Sequence, residues 1–377
     1  MRRICYVTGT RADFGLMRRT LEAIRDSGDL GLSIVATGMH LDERYGLTIR
    51  EIEAAGLPVS ARVDLEGARV TDGATMARDV GRMTIGMVEA FQRIAPDIVL
   101  LLGDRGEMLA GAIAALHLNI PIAHVHGGER SGTIDESVRH AISKLSHFHF
   151  VATEESRTRL VRMGERPERI HVTGAPGLDG IEEDASIGRG DLLAGMKLDP
   201  LRPVALFVFH PVVQEAECAG ADASEILACL ARHGLQLVAL RPNSDAGSSE
   251  VVLALERWRH DPSVRVVTHL PRDAFVSWMA AADLMVGNSS AGIIEAASFG
   301  TPVINVGSRQ NLRERNANVI DVEARAEALD GAVRRALQCG HFAIRNIYGD
   351  GHAGGRIVSH LRGLPLDPSV LSKANAY

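Results

Sequence analysis

Ile98-Val99-Leu100-Leu101-Leu102-Gly103-Asp104-Arg105-Gly106-Glu107 sets five large apolar residues in a row before a glycine, an aspartate and an arginine. No polar residue alternates within the run, so it reads as a strand covered on both faces. Gly103 permits a sharp turn, and an amphipathic stretch at 107–117 follows. Strand, tight turn and helix together make the repeating half of a parallel sheet.

The same alternation extends in both directions. Strand-like runs at 4–8, 32–37, 59–63, 121–126, 148–153 and 170–173 are separated by amphipathic stretches that include 14–25, 76–94 and 136–146. Between 174 and 203 the rhythm breaks. Gly174, Pro176, Gly177, Gly188, Gly190, Pro200 and Pro203, with the acidic run Glu182-Glu183-Asp184, mark a crossing between domains. Strands then restart at 204–209, 235–240, 264–268, 283–286, 302–306 and 319–322, and a last helix is expected at 354–362. The expected fold is α/β, with two Rossmann-like, doubly wound domains facing across a cleft. Residues 1–175 form the first, with 354–377 packing back on it, and 176–353 form the second. A chain of 377 residues is too long for one compact core and suits two.

Composition narrows the function. Lys and Arg number 41 against 47 Asp and Glu, a net charge of −6, so the basic field that nucleic acid binding needs is missing. An anionic ligand must be held locally. Cys5, Cys218, Cys229 and Cys339 form no CxxC pair, which excludes a disulfide framework and a zinc module. The apolar run after Arg3 is too short for a signal peptide, and the stretch 110–126 is broken by His117, Asn119 and Pro121. A cytoplasmic protein without a membrane span is expected.

Four loops fall where a strand hands over to a helix. Thr8-Gly9-Thr10-Arg11-Ala12-Asp13-Phe14-Gly15 joins a turn to a helix start. It serves equally as an anion site with Arg11 or as a helix cap beside a solvated arginine. No GxGxxG or Walker motif occurs, so no dinucleotide or ATP is expected. Asp104 at its strand end points toward a cleft or caps the next helix. His124-Val125-His126-Gly127-Gly128-Glu129 leads to Asp135-Glu136, crowding carboxylates and two histidines expected on one strand face. Carboxylates sharing a cleft raise one another's pKa toward the range useful for proton transfer. His124, His126, His140, His147 and His149 match no zinc spacing, so no metal is expected. In the second half, His210 ends a strand, and Asn243 and Asp245 lie in a turn-rich loop. Gly287-Asn288-Ser289-Ser290-Ala291-Gly292 runs into a helix bearing Glu295. Its free N–H groups suit a diphosphate, and ordinary capping by Ser289 and Ser290 is the alternative.

Together with Gly103-Asp104-Arg105, Arg139-His140 and Gly307-Ser308-Arg309-Gln310, these loops resemble the UDP-N-acetylglucosamine 2-epimerase family, most closely its hydrolysing branch. The resemblance runs in order from Tyr6 to about Gly355 and implies a GT-B-like fold with no cofactor. It implies anti elimination of UDP from UDP-N-acetylglucosamine, a bound 2-acetamidoglucal, and hydration to N-acetylmannosamine for sialic-acid-type synthesis. Relatives acting on a UDP-linked 2,4-diacetamido-trideoxy sugar or a GDP-linked analogue supply the alternative substrates. By the same resemblance Asp104, Glu129, Asp135 and Glu136 are the catalytic carboxylates, joined by His126 and His210. Arg11, Asn243, Asp245, Asn288, Ser289, Ser290, Gly292, Glu295 and Arg313 are the binding residues, and a homodimer is implied. His126 stands where the non-hydrolysing branch has Glu, and Ala12-Asp13 where that branch reads Pro-Glu. Both favour hydrolysis, and the first leaves the identity of the C2 base open. A GT-B glycosyltransferase is the rival reading, which the Glu129 to Glu136 cluster disfavours because sugar transfer does not need it.

Overall fold

In the computed structural model, which describes residues 1–65, 72–243 and 245–376, every expected strand forms. Ser244, in the loop 241–247, and Tyr377, at the end of 354–377, lie outside the described residues. The first sheet contains β1 (Arg2–Thr8), β2 (Leu30–Thr37), β3 (Val59–Val63), β4 (Ile98–Leu102), β5 (Ile122–Val125), β6 (Phe148–Val151) and β7 (Ile170–Val172). The second contains β8 (Val204–Val208), β9 (Gln236–Leu240), β10 (Val264–Val267), β11 (Leu284–Gly287), β12 (Val303–Val306) and β13 (Val319–Val322). The orders are β3-β2-β1-β4-β5-β6-β7 and β10-β9-β8-β11-β12-β13, and every pairing is parallel. This is the GT-B-like arrangement of two doubly wound sheets.

Strand alternation divides each sheet's side chains between two cores. Ile4, Tyr6 and Leu100 face Phe14, Met17 and Leu21, whereas Cys5, Val7, Val99 and Leu101 face Met83, Met87, Phe91 and Met108. The second sheet repeats this, with Phe207 toward Ile226 and Leu230, and Leu206 and Val208 toward Trp278 and Met279. Truncating one such side chain to Ala costs about 2–5 kcal/mol. Helix Ala353–Gly363 returns to the first core through Ile357, Val358 and Leu361, and Asp179 accepts from its Ala353 N–H at 2.8 Å. The outgoing and returning chains touch between the halves, where Ala175 N donates to Tyr348 O at 2.8 Å.

Strand order reverses between β1 and β4 and again between β8 and β11. Loops leaving strands on either side of such a switch point diverge and open a crevice. The loops after β1, β4, β8 and β11 therefore face the cleft, joined by those after β5, β9, β10 and β12. Gly103, at φ +79°, makes the β4 turn in a conformation that favours glycine.

One expectation fails here. His124 and His126 do not share a strand face, because β5 stops at Val125 and His126 has φ +62°. His124 stays inside the sheet, with Nε2 2.7 Å from Gly103 O and Nδ1 3.1 Å from Ser143 Oγ. The other histidines scatter: His147 Nδ1 accepts from Ile122 N at 3.0 Å, and His149 Nε2 lies 3.0 Å from Glu165.

Candidate functional site

Thr10 caps helix Arg11–Arg25 and forms a capping box with Asp13. The Asp13 carboxylate accepts from Gly9 N at 3.1 Å and Thr10 N at 3.0 Å, and from the Thr8 hydroxyl. Burial nevertheless raises its pKa to about 7; bonds from Thr8 and Gly9 oppose the shift and Glu107 adds to it. Arg11 starts the same helix and reaches across the cleft, donating to Thr268 O at 3.1 Å beside His269 Nδ1 at 2.7 Å.

After β4, Asp104 pairs with Arg139 of helix Ile134–Leu145. Arg139 is 1% exposed, yet among the described residues its Nε and Nη1 have no partner. Arg105 lies 3.3 Å from Glu107 and 3.5 Å from Asp245. Burial alone would lower its pKa, but Glu107, Asp245, Asp13 and Asp135 outweigh it and raise the value.

After β5, His126 Nδ1 meets Glu129 Oε1, and Glu129 Oε2 meets Arg313 from the other half of the chain. Both residues are buried, and His126 Nε2 has no partner among the described residues. Burial, then Arg313, pushes the imidazolium pKa down to about 3, so the ring is neutral at pH 7.

On the second sheet, His210 follows β8. Its N–H donates to Asn288 Oδ1 and its C=O accepts from Asn288 Nδ2, both at 2.7 Å. Its Nδ1 accepts from Asn243 N at 3.2 Å, which leaves the proton on Nε2. Burial, reinforced by Arg309, Arg11 and Arg105, holds its pKa well below the ordinary value. Ser289 caps helix Ser290–Ile294, which has only five residues. Its N–H groups are available, but little macrodipole accumulates over one turn, and the positive charge nearby is that of Arg11 and Arg309, which line the same cleft. Glu295 accepts from Arg272 Nη1 at 2.5 Å, and Arg272 also donates to Gly177 O at 2.8 Å.

One cleft is lined by Asp104, His126, Glu129, His210, Arg11, Asn243, Ser289, Ser290, Glu295 and Arg313. Five other expected residues stand apart from it. Glu136 turns onto its own loop, accepting from Ser131 N and Gly132 N, both at 2.9 Å. Asp135 and Asp245 line a neighbouring cavity, Asp135 being 3.8 Å from Arg309. Asn288 holds the His210 backbone, and Gly292 packs on β12, where an added Cβ would lie 2.8 Å from Val303. Sequence reasoning assigned no role to Arg139, Arg272, His269 or Asp13, all of which line the cleft. The Thr10–Asp13 box was the only local signal; the arginines become visible once distant strands are paired.

Facing doubly wound sheets, with polar loops converging from both switch points, define the GT-B-like class. Residues 22–362 match the family described as UDP-N-acetylglucosamine 2-epimerase. A Legionella pneumophila protein named UDP-N,N'-diacetylbacillosamine 2-epimerase (hydrolyzing) is 48% identical over 377 residues, 100% of each chain. A Neisseria meningitidis protein named UDP-N-acetylglucosamine 2-epimerase is 34% identical over 93% of this chain and 92% of its own. The fold also matches the S. aureus MnaA–UDP structure, with a TM-score of 0.80 at 20% identity over 96% of both chains. The chain belongs to the UDP-N-acetylglucosamine 2-epimerase family and is an enzyme of that family. No helix among the described residues is long and apolar enough to cross a membrane.

Proposed function

We propose that the enzyme hydrolyses a UDP-linked 2,4-diacetamido-trideoxy sugar with inversion at C2, releasing UDP and the free 2-epimer. The observation that carries this reading is the 48% identity, over the whole of both chains, to the Legionella pneumophila protein named for UDP-N,N'-diacetylbacillosamine. UDP-N-acetylglucosamine, the first choice from sequence, becomes the second, since the relative named for it is 34% identical. The shape of the cleft supports the order. Past Asp104 and Arg105, which line both spaces, lies a cavity of about 710 Å³ walled partly by Met39, Leu41, Val80, Met83, Leu109 and Val138. The methyl groups of a C4 acetamido and at C5 suit such walls better than hydroxyls do.

Elimination comes first in this reading. The C2 proton passes to a base, the C–H electron pair becomes the C1=C2 bond, and the C1–O pair leaves with UDP. Arg11, Arg309 and the Nε2–H of His210 face the charge developing on the diphosphate. Water then adds to the bound glycal. No redox step occurs.

Supplying the two UDP-sugars side by side, with no acceptor, tests the assignment. The diacetamido sugar should have the higher kcat/KM, by about 10²-fold if cleft groups bond its C4 amide. Equal values, or the reverse order, would return the substrate to UDP-N-acetylglucosamine. UDP release that required an acceptor would indicate a glycosyltransferase.

A further inference from the structure

We propose that Nε2 of His126 is the base that removes the C2 proton, and that Glu129 acts on the substrate only through His126. The proposal rests on the elimination reading above.

Inversion at C2 through a planar glycal takes a proton from one face and returns another to the opposite face. A group fixed on one side cannot serve both, so two proton-transfer groups are needed. Sequence offered four carboxylates, and the geometry thins them. Glu136 is engaged by two backbone N–H groups, and Asp135 faces the Arg309 guanidinium at 3.8 Å. Both oxygens of Glu129 are taken, one by His126 Nδ1 and one by Arg313. Asp104 remains for one face.

His126 supplies the other. It lines the cleft and is buried, with Nε2 lacking any partner among the described residues. A buried nitrogen without a hydrogen bond destabilises the fold, and the φ of +62° adds backbone strain. Such costs persist where a ligand or a reaction uses the group. Because Nδ1–H donates to Glu129, Nε2 carries the lone pair, the arrangement of a base oriented by a carboxylate. In the step itself, Nε2 gains the C2 proton, the C–H pair forms C1=C2, and the C1–O pair departs with the diphosphate. The new imidazolium faces Glu129, and Arg313 fixes that carboxylate in place.

Two variants suit the left-handed backbone, His126→Asn and His126→Gly. Each would be assayed with the nucleotide sugar and, separately, with the corresponding preformed 2-acetamidoglucal. UDP release by both should fall by about 10²–10⁴-fold while UDP affinity and glycal hydration stay within about tenfold of wild type. Added imidazole should restore UDP release by His126→Gly but not by Glu129→Gln. Glu129→Gln itself should retain more activity than either His126 variant, because its amide oxygen still accepts from Nδ1–H. Elimination near the wild-type rate in His126→Asn would overturn the proposal. So would loss of UDP affinity in both His126 variants, or a Glu129→Gln rate below theirs. Failure of the underlying reading looks different: wild-type enzyme in D2O would then yield product without deuterium at C2.

Discussion

Asp104, Arg139 and His126, on the first sheet's side of the cleft, are ionisable groups brought together with polar atoms left over: Arg139 Nε and Nη1, and His126 Nε2. Across from them, His210 and Asn288 close on each other through two hydrogen bonds of 2.7 Å, and Ser289 caps its own short helix. Among the described residues the first side leaves three such atoms where the proposed chemistry moves charge, while the second leaves Arg272 Nε and turns most of its polar groups to holding backbone in place. In the mechanism proposed above the difference divides labour between chemistry and grip, and it separates the expected effects of substitution. Changes on the first side should remove rate and leave affinity intact; changes on the second should lower affinity and stability together.

The largest effect is expected at Asp104. Asp104→Asn keeps the shape and a hydrogen bond to Arg139 but loses the exchangeable charge, so turnover should fall by about 10²–10⁴-fold with UDP affinity retained. Isothermal titration beside a UDP-release assay separates the two quantities, and a parallel loss of affinity would erase the contrast between the sides. Asn288→Ala comes next. It strands both backbone groups of His210, at a cost of about 2–3 kcal/mol in unfolding free energy, and should weaken UDP binding about tenfold. Unchanged affinity would mean that His210 does not grip the diphosphate.

The smallest effect sharpens the contrast by its sign. Burial raises the Asp13 pKa from 3.8 in the ordinary case to about 7. The unfolded chain therefore ionises first, and Asp13 costs the fold stability as pH rises from about 4 through 7, with no further change above. Asp13→Asn, which has no carboxyl to ionise, should gain stability relative to wild type as the pH is raised from about 4 to 8, as read from chemical unfolding. A pH-independent difference would contradict the argument.

Strands were legible because each is a short apolar run between turn residues. The runs 59–63, 98–102 and 319–322 coincide with β3, β4 and β13. Loop positions followed from the alternation, since switch points put the strand ends at one cleft. Side-chain partners were not legible, because they join distant strands: Asp104 to Arg139, and Glu129 to an arginine 184 residues away. Nothing local marks His126 as the residue that leaves the extended conformation; the glycines that permit such turns come after it. The loop 287–292 misled in another way. It continues into helix only as far as Ile294 before a 3-10 turn at Ala296–Phe299, so the charge near an anion falls to arginines from other loops.

In the proposed mechanism elimination precedes hydration, and running the reaction in D2O with 18O-labelled water tests that order. Mass and NMR analysis of the released sugar should find one deuterium at C2, in the inverted configuration, and labelled oxygen at C1. Product with its original hydrogen at C2 would mean direct attack of water at C1 and would contradict the account.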